Sequence, residues 1–301
     1  SSRYCNQCRD DAYFYCEACD GWFEHRWRSP LGDQCQSCYE NRADEDCDDD
    51  DDHVPMRGGI AAYHSRRRHT LPFGYERALL FGVELEVLAK NESAMLDVRD
   101  FAKSKGFLVE RDGSLDPYLG IEMVGAPLPY AECCASWLRL LAYLKGKVVG
   151  WHAGTGYGMH VSVNRLAMTP LHQGKVLVFF NNNQAFIEKC AGRKANEWSR
   201  FYRKTLKDGK AAESNKYDAA SLRNQTRMEI RVFRSTIAAY GFSRNMEVVK
   251  GVVEYTKMAS MSSGLTHKAF TRWLQRPENR KEYASLRRHL GLRPAPRRAQ
   301  A

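Results

Sequence analysis

Glu84 and Glu86, in the run Phe81 to Ala89, alternate with Val83, Leu85 and Val87. Folded as a β-strand, this run projects both carboxylates from one face and the aliphatic side chains from the other. Three later runs repeat the pattern. Glu122 opposes Ile121 and Met123; His160, Ser162 and Asn164 oppose Met159, Val161 and Val163; Arg227, Glu229 and Arg231 oppose Met228, Ile230 and Val232. Glutamate is disfavoured in strands, so its recurrence on the polar face of three of the four runs asks for a use. Carboxylates and an imidazole gathered on one surface repel each other unless protons or cations neutralise them. Mg²⁺ or Mn²⁺ suits such an oxygen-rich set, commonly together with nucleotide phosphates. Arg231 and Arg234 would then face the phosphates, and the chemistry that fits is phosphoryl transfer.

A second set of reactive residues lies at the N-terminus. Seven of the ten cysteines fall within the first 47 residues, as Cys5-x2-Cys8, Cys16-x2-Cys19 and Cys35-x2-Cys38, then Cys47. Two thiolates separated by two residues grip one tetrahedral zinc from a tight turn. With His25 the set offers eight ligands, enough for two zincs, or four cysteines hold one and leave the others free. A disulfide-stapled module is the alternative, disfavoured because nothing in the sequence suggests secretion. Cys133 and Cys134, in an apolar helical run, read as buried small hydrophobes.

Charge splits the chain near the same place. Residues 1–53 carry five Lys/Arg and fifteen Asp/Glu; the totals of 46 and 36 leave 41 and 21 for residues 54–301, so net −10 is followed by net +20. The run Asp44 to Asp52 is too charged and too poor in apolar groups to fold alone and reads as a solvated linker. From Thr271 onward nine Lys/Arg face two Asp/Glu, a tail suited to nonspecific contact with nucleic-acid phosphates or to solubility. No apolar run is long enough to span a bilayer, and Ser1 to Tyr4 do not open a secretory signal, although a start on Ser1 and not on methionine leaves room for a removed segment; a cytoplasmic protein is expected.

These residues must be positioned by alternating elements. Strands are expected at 79–89, 107–113, 120–128, 157–165 and 227–236. Helices are expected at 94–106, 131–146, 170–190, 243–261 and 266–275, with a mixed segment at 196–206. Each long strand shows one-faced alternation rather than a continuous apolar run. That favours an α+β fold with a mostly antiparallel sheet, helices on one face and the polar face open. The organisation expected is a zinc module at 1–43, a linker at 44–70, a main domain at 71–265 and a basic C-terminal segment at 266–301. Gly154, Gly156 and Gly158 read as a turn before a strand, with Trp151 and His152 as loop anchors. Asn181 to Asn183, unusual inside a helical pattern, face the cleft or solvent.

In order and spacing, FGVELEV, ERDGSLDPYLGIEMVGAPL, GYGMHVSV and TRMEIRVFRST resemble the amidoligase family, a branch of the carboxylate-amine ligases with a curved, glutamine-synthetase-like catalytic sheet. The resemblance covers roughly residues 71–262, and the four motifs together are far more specific than any one. Phage and bacterial members often carry an N-terminal Cys-rich finger, which this chain also resembles; a phage protein would reside in the host cytoplasm. The resemblance implies an ATP- and Mg²⁺-dependent ligase that phosphorylates a substrate carboxylate and joins the acyl phosphate to an amine, in a peptide or protein among other substrates. It also implies residue roles. Glu84, Glu86, Glu122, His160 and Glu229 match the metal-binding positions, with His160 also serving nucleotide phosphate. Arg231 matches the stabiliser of phosphate or acyl phosphate, and Asp112 and Ser114 match a substrate-side turn, which as plain sequence reads equally as a Gly-containing turn. One departure stands out, because the family often has His-x-His in the third motif and here the second position is Ser162. A function of another class stays open: a ligase-like sheet that no longer turns over, binding nucleic acid or a protein partner through the finger and the basic surface.

Overall fold

The computed structural model describes residues 13–16, 21–24, 60, 78–150, 156–211, 214–261 and 263–292. The chain divides into two compact units, Ser1–Pro55 and Met56–Ala301. In the first, β1 (Tyr13–Cys16) and β2 (Gly21–Glu24) pair antiparallel with Cys16 opposite Gly21. Cys5, Cys8, Cys19, His25, Cys35, Cys38 and Cys47 lie outside the described residues, as do the acidic run and the Trp151–Gly154 loop.

The second unit mixes strands and helices. It begins with β3 (Leu80–Ala89), α1 (Glu92–Ser104), β4 (Leu108–Glu110), β5 (Gly120–Val124), β6 (Leu128–Pro129), α2 (Tyr130–Leu144), β7 (Val148–Val149) and β8 (Gly158–Asn164). It continues through α3 (Pro170–Asn182), α4 (Gln184–Ala191), α5 (Leu206–Ala211), β9 (Ala220–Ser221), β10 (Arg227–Arg234), α6 (Ala239–Met258), α7 (His267–Leu274) and α8 (Ala284–His289). The sheet runs β4-β5-β3-β8-β10-β9 with β6 and β7 also on β3, and its pairings are antiparallel. The alternation read from sequence sets its two faces. Phe81, Val83, Leu85, Val87, Ile121, Met123, Met159, Val161, Val163, Met228 and Ile230 join one buried cluster with Val98, Trp137, Leu141, Phe179, Phe180, Ile187, Phe242 and Val249 of the helices. The residues alternating with them form the site face. Cys133 is buried as expected, its thiol pushed up by loss of solvent, and Cys134 is half-buried.

One expectation is corrected by packing. The helix expected over 170–190 breaks at Asn183, which leaves helical geometry at φ −112° and ψ 44°. Its amide instead donates to Phe179 O and Leu265 O and accepts from the His267 N–H, while Asn182 exchanges two hydrogen bonds with Lys204 and Asn181 donates to Ala220 O. The three asparagines are clamps between segments, satisfying backbone groups that burial would otherwise leave unpaired. The residues after 266 also enter the main core. Phe270, Leu274, Tyr283 and Leu286 are fully buried in the cluster, and Ile60, from the stretch expected to be linker, is buried with them.

Candidate active site

Register brings the polar residues together. Along β3, Glu84 stands opposite His160 of β8 and Gly82 opposite Ser162, while on its other side Glu86 stands opposite Glu122 of β5. Ser162 in turn faces Glu229 of β10, and Glu122 faces Glu110 of β4. Directly paired residues share a face, so five strands deliver five glutamates and a histidine to one surface. Between Ile230 and Phe233 the β10 pairing slips, so Arg231 and Val232 together oppose His160. Such a bulge re-aims the side chains after it. It returns Phe233 to the core opposite Met159 and puts Arg234 on the site face opposite Gly158.

Arg193 holds the bulge in place. It follows α4, is buried, and its guanidinium donates to Val232 O at 3.0 Å, Arg231 O at 2.5 Å and Gly156 O at 3.2 Å. Burial lowers its pKa, to about 10, against the pull of Glu86. Gly158 lies between these groups: its N–H donates to Glu86 Oε2 at 2.5 Å, and a Cβ there would stand 3.2 Å from His160 Nε2 and 3.4 Å from both Arg193 Nη1 and Glu86 Oε2. Glycine at this strand position lets backbone and side chains approach.

The imidazole sits at the centre of the carboxylates. His160 Nδ1 is 3.4 Å from Glu84 Oε2 and 3.6 Å from Glu229 Oε1, and Nε2 is 3.7 Å from Glu86 Oε1. Ligand atoms of Glu84, Glu122 and His160 all lie within 4.8 Å of one another. Arg227 Nη1 approaches Glu84 Oε1 at 3.2 Å, and Arg231 Nη1 donates to Glu229 Oε1 at 2.6 Å. Arg231 Nε also donates to Trp198 O, with the guanidinium 6.0 Å from the Tyr217 ring centre. The face is less open than expected: Glu110, Glu122 and His160 are no more than 6% exposed. Arg227, drawn across to Glu84, and Arg231, held on Glu229, lie on the same face.

That burial splits the carboxylates. Burial works to raise Glu84, but the guanidinium of Arg227 and then the imidazole of His160 hold its carboxyl far below the usual range. Glu122 is driven well above it by burial, then by the charges of Glu84, Glu86, Asp112 and Glu110. A carboxyl pushed up by its neighbours marks a place short of positive charge. Donors that are carboxylate oxygens with one imidazole nitrogen suit Mg²⁺ or Mn²⁺, so the residues present fit a hard divalent cation.

Of the residues singled out from sequence, Glu84, Glu86, Glu122, His160, Glu229 and Arg231 converge, and Arg234 joins the same face, packed against Gly192. Asp112 lies beyond the end of β4, where it caps a turn by accepting from the Ser114 N–H at 2.7 Å and hydroxyl at 2.5 Å. Glu110, Arg193 and Arg227 were not singled out. Arg227 lay in plain view on the polar alternation of β10. Glu110 becomes visible only once the β4–β5 register is known, and nothing local marks Arg193.

The chain matches no protein-family model and no curated protein. Among solved structures it matches a chain of the complex between prokaryotic ubiquitin-like protein Pup and its ligase PafA, at 11% identity and a TM-score of 0.32, over 60% of this chain and 46% of that chain. The match spans less than half of that chain's length. Among the described residues, no helix is long and apolar enough to cross a membrane.

Proposed function

We propose that the second unit is an ATP- and Mg²⁺-dependent carboxylate-amine ligase, an amidoligase with a glutamine-synthetase-like sheet. The observation that carries this reading is the convergence of Glu84, Glu86, Glu122, Glu229 and His160 on one sheet face beside Arg231 and Arg227. A face that only had to be soluble gains nothing from a buried, self-repelling carboxylate set. Glu84, Glu86, Glu122, His160 and Glu229 would hold Mg²⁺ or Mn²⁺, which when bound neutralises phosphate charge. Arg231, fixed by Glu229 and Trp198 O, stabilises the transferring phosphoryl group, and Arg234 and His160 serve the nucleotide phosphates. A carboxylate oxygen of the substrate attacks the γ-phosphorus and ADP leaves; the amine nitrogen then attacks the acyl carbon, phosphate leaves, and Glu229 takes the amine proton. Asp112, in the turn beyond β4, lies on the substrate side. In the first unit, Cys5, Cys8, Cys16, Cys19, His25, Cys35, Cys38 and Cys47 hold one or two zincs, and that unit recruits substrate or partner.

Hydroxylamine tests the reaction type, since it traps an acyl phosphate as a hydroxamate. With MgATP and pooled amino acids, peptides and proteins, carboxylate-dependent ADP and hydroxamate are expected together. ADP release without hydroxamate would make the protein an ATPase and overturn the reading.

A further inference from the structure

Register shows how Arg227 reaches Glu84. Arg227 stands opposite Asn164 of β8 and Glu84 stands opposite His160, on the strand at the other side of β8. The guanidinium therefore crosses β8 over the row between, where Ser162 lies with Gly82 on one side and Glu229 on the other. Gly82 has no side chain and Ser162 a short one, so this row leaves the space that the arginine crosses. Two buried polar atoms mark the crossing, the Ser162 hydroxyl and Arg227 Nε, neither with a hydrogen-bond partner. The far end of the side chain is placed by charge. Arg227 Nη1 takes Glu84 Oε1 at 3.2 Å and leaves Oε2 turned to His160 Nδ1 at 3.4 Å.

The fixed charges bound how many cations the face accepts. The carboxylates of Glu84, Glu86, Glu110, Glu122 and Glu229 meet the guanidiniums of Arg193, Arg227, Arg231 and Arg234, five against four. One divalent cation offsets that deficit and leaves a surplus of one. A second would raise the buried surplus of positive charge to three, which is costly. Without Arg227 the deficit grows and Glu84 Oε1 is released.

We propose that Arg227 takes the place of a second metal ion at Glu84, so that this face binds one divalent cation, on the side of Glu84 Oε2, Glu122 and His160. The proposal rests on the reading of this face as a metal site. Arg227 acts here as a positioning residue: it fixes one oxygen of Glu84 and aims the other.

Mn²⁺ titration of the full chain, read by the paramagnetic resonance signal of the free ion, counts the sites. A Glu84→Gln/Glu122→Gln double variant serves as the blank, so that ions on the acidic 44–52 run are subtracted. The wild type is expected to bind one ion on this face. Arg227→Met is expected to bind two, the second lost again in Arg227→Met/Glu84→Gln, and Mn²⁺ should raise its Tm more than that of the wild type. Two ions on the wild-type face, or one in a folded Arg227→Met, would overturn the proposal and leave the metal face standing. No ion at all on the wild-type face would overturn both. Where Arg227→Met fails to fold, the wild-type count still decides, and Arg227→Lys, which keeps the charge, is expected to bind one ion.

Discussion

Glu84 and Glu122 occupy neighbouring strands, yet their surroundings drive them in opposite directions. For Glu84, burial is outweighed by Arg227 and His160, so its folded pKa falls below the ordinary 4.5. Its contribution to stability is present above 4.5 and is lost as pH falls below it. For Glu122, burial and the charges of Glu84, Glu86, Asp112 and Glu110 raise the folded pKa above 4.5. Its contribution is full below 4.5 and is lost as pH rises through the raised value. In chelator, Glu122→Gln is therefore expected to raise Tm at neutral pH and flatten its decline above 4.5, whereas Glu84→Gln should lower Tm at neutral pH. Matching Tm–pH curves for the two variants would contradict this assignment. Most of the site was legible at this scale because a period of two places alternating residues on one face whatever the fold. The importance of Arg227 was not, because it depends on which residue lies two strands away.

Among the elements, β10 carries the feature that sequence alternation hides. Arg227, Glu229 and Arg231 keep period two, and the bulge after Ile230 then lets both Val232 and Phe233 turn inward. Arg193 answers the carbonyls that the bulge leaves out of the ladder, from a loop far away in sequence. Arg193→Met leaves three carbonyls without that donor and is expected to cost about 3 kcal/mol in urea unfolding, since buried unpaired groups cost roughly 1–3 kcal/mol each and water can reach some of them. Unfolding at an unchanged urea midpoint would show that the bulge holds itself. Gly158→Ala tests the floor of the site. Its added methyl meets the ends of side chains rather than backbone, so the fold should persist while Mn²⁺ affinity falls roughly tenfold, as second-layer changes at metal sites do. Wild-type affinity in this variant would mean that Glu86 and Arg193 can shift freely. The broken helix at Asn183 was illegible for a related reason: three asparagines look alike in sequence, and their backbone partners come from distant segments.

At the scale of the whole molecule, the long alternating strands made the antiparallel mixed α/β architecture readable, because one-faced alternation requires one sheet face to be packed and the other not. The C-terminal helices were harder to place, because their many basic residues obscured the buried stripe. Phe270, Trp273, Leu274, Tyr283 and Leu286 all lie in the main core. At roughly 2 kcal/mol each their burial is worth about 10 kcal/mol, comparable to the whole stability of a domain. A chain ending at residue 265 is therefore expected to show no cooperative thermal transition; a sharp one would mark those helices as an appendage. For the first unit, metal analysis is expected to find one or two zincs per chain, and fewer than one would contradict the cysteine reading. The central claim is that the glutamate face of the second unit binds ATP through a divalent cation, and calorimetric titration with a non-hydrolysable ATP analogue tests it most directly. Binding that requires Mg²⁺ and disappears in Glu84→Gln is the expected result; binding indifferent to Mg²⁺, or none at any Mg²⁺ concentration, would contradict it.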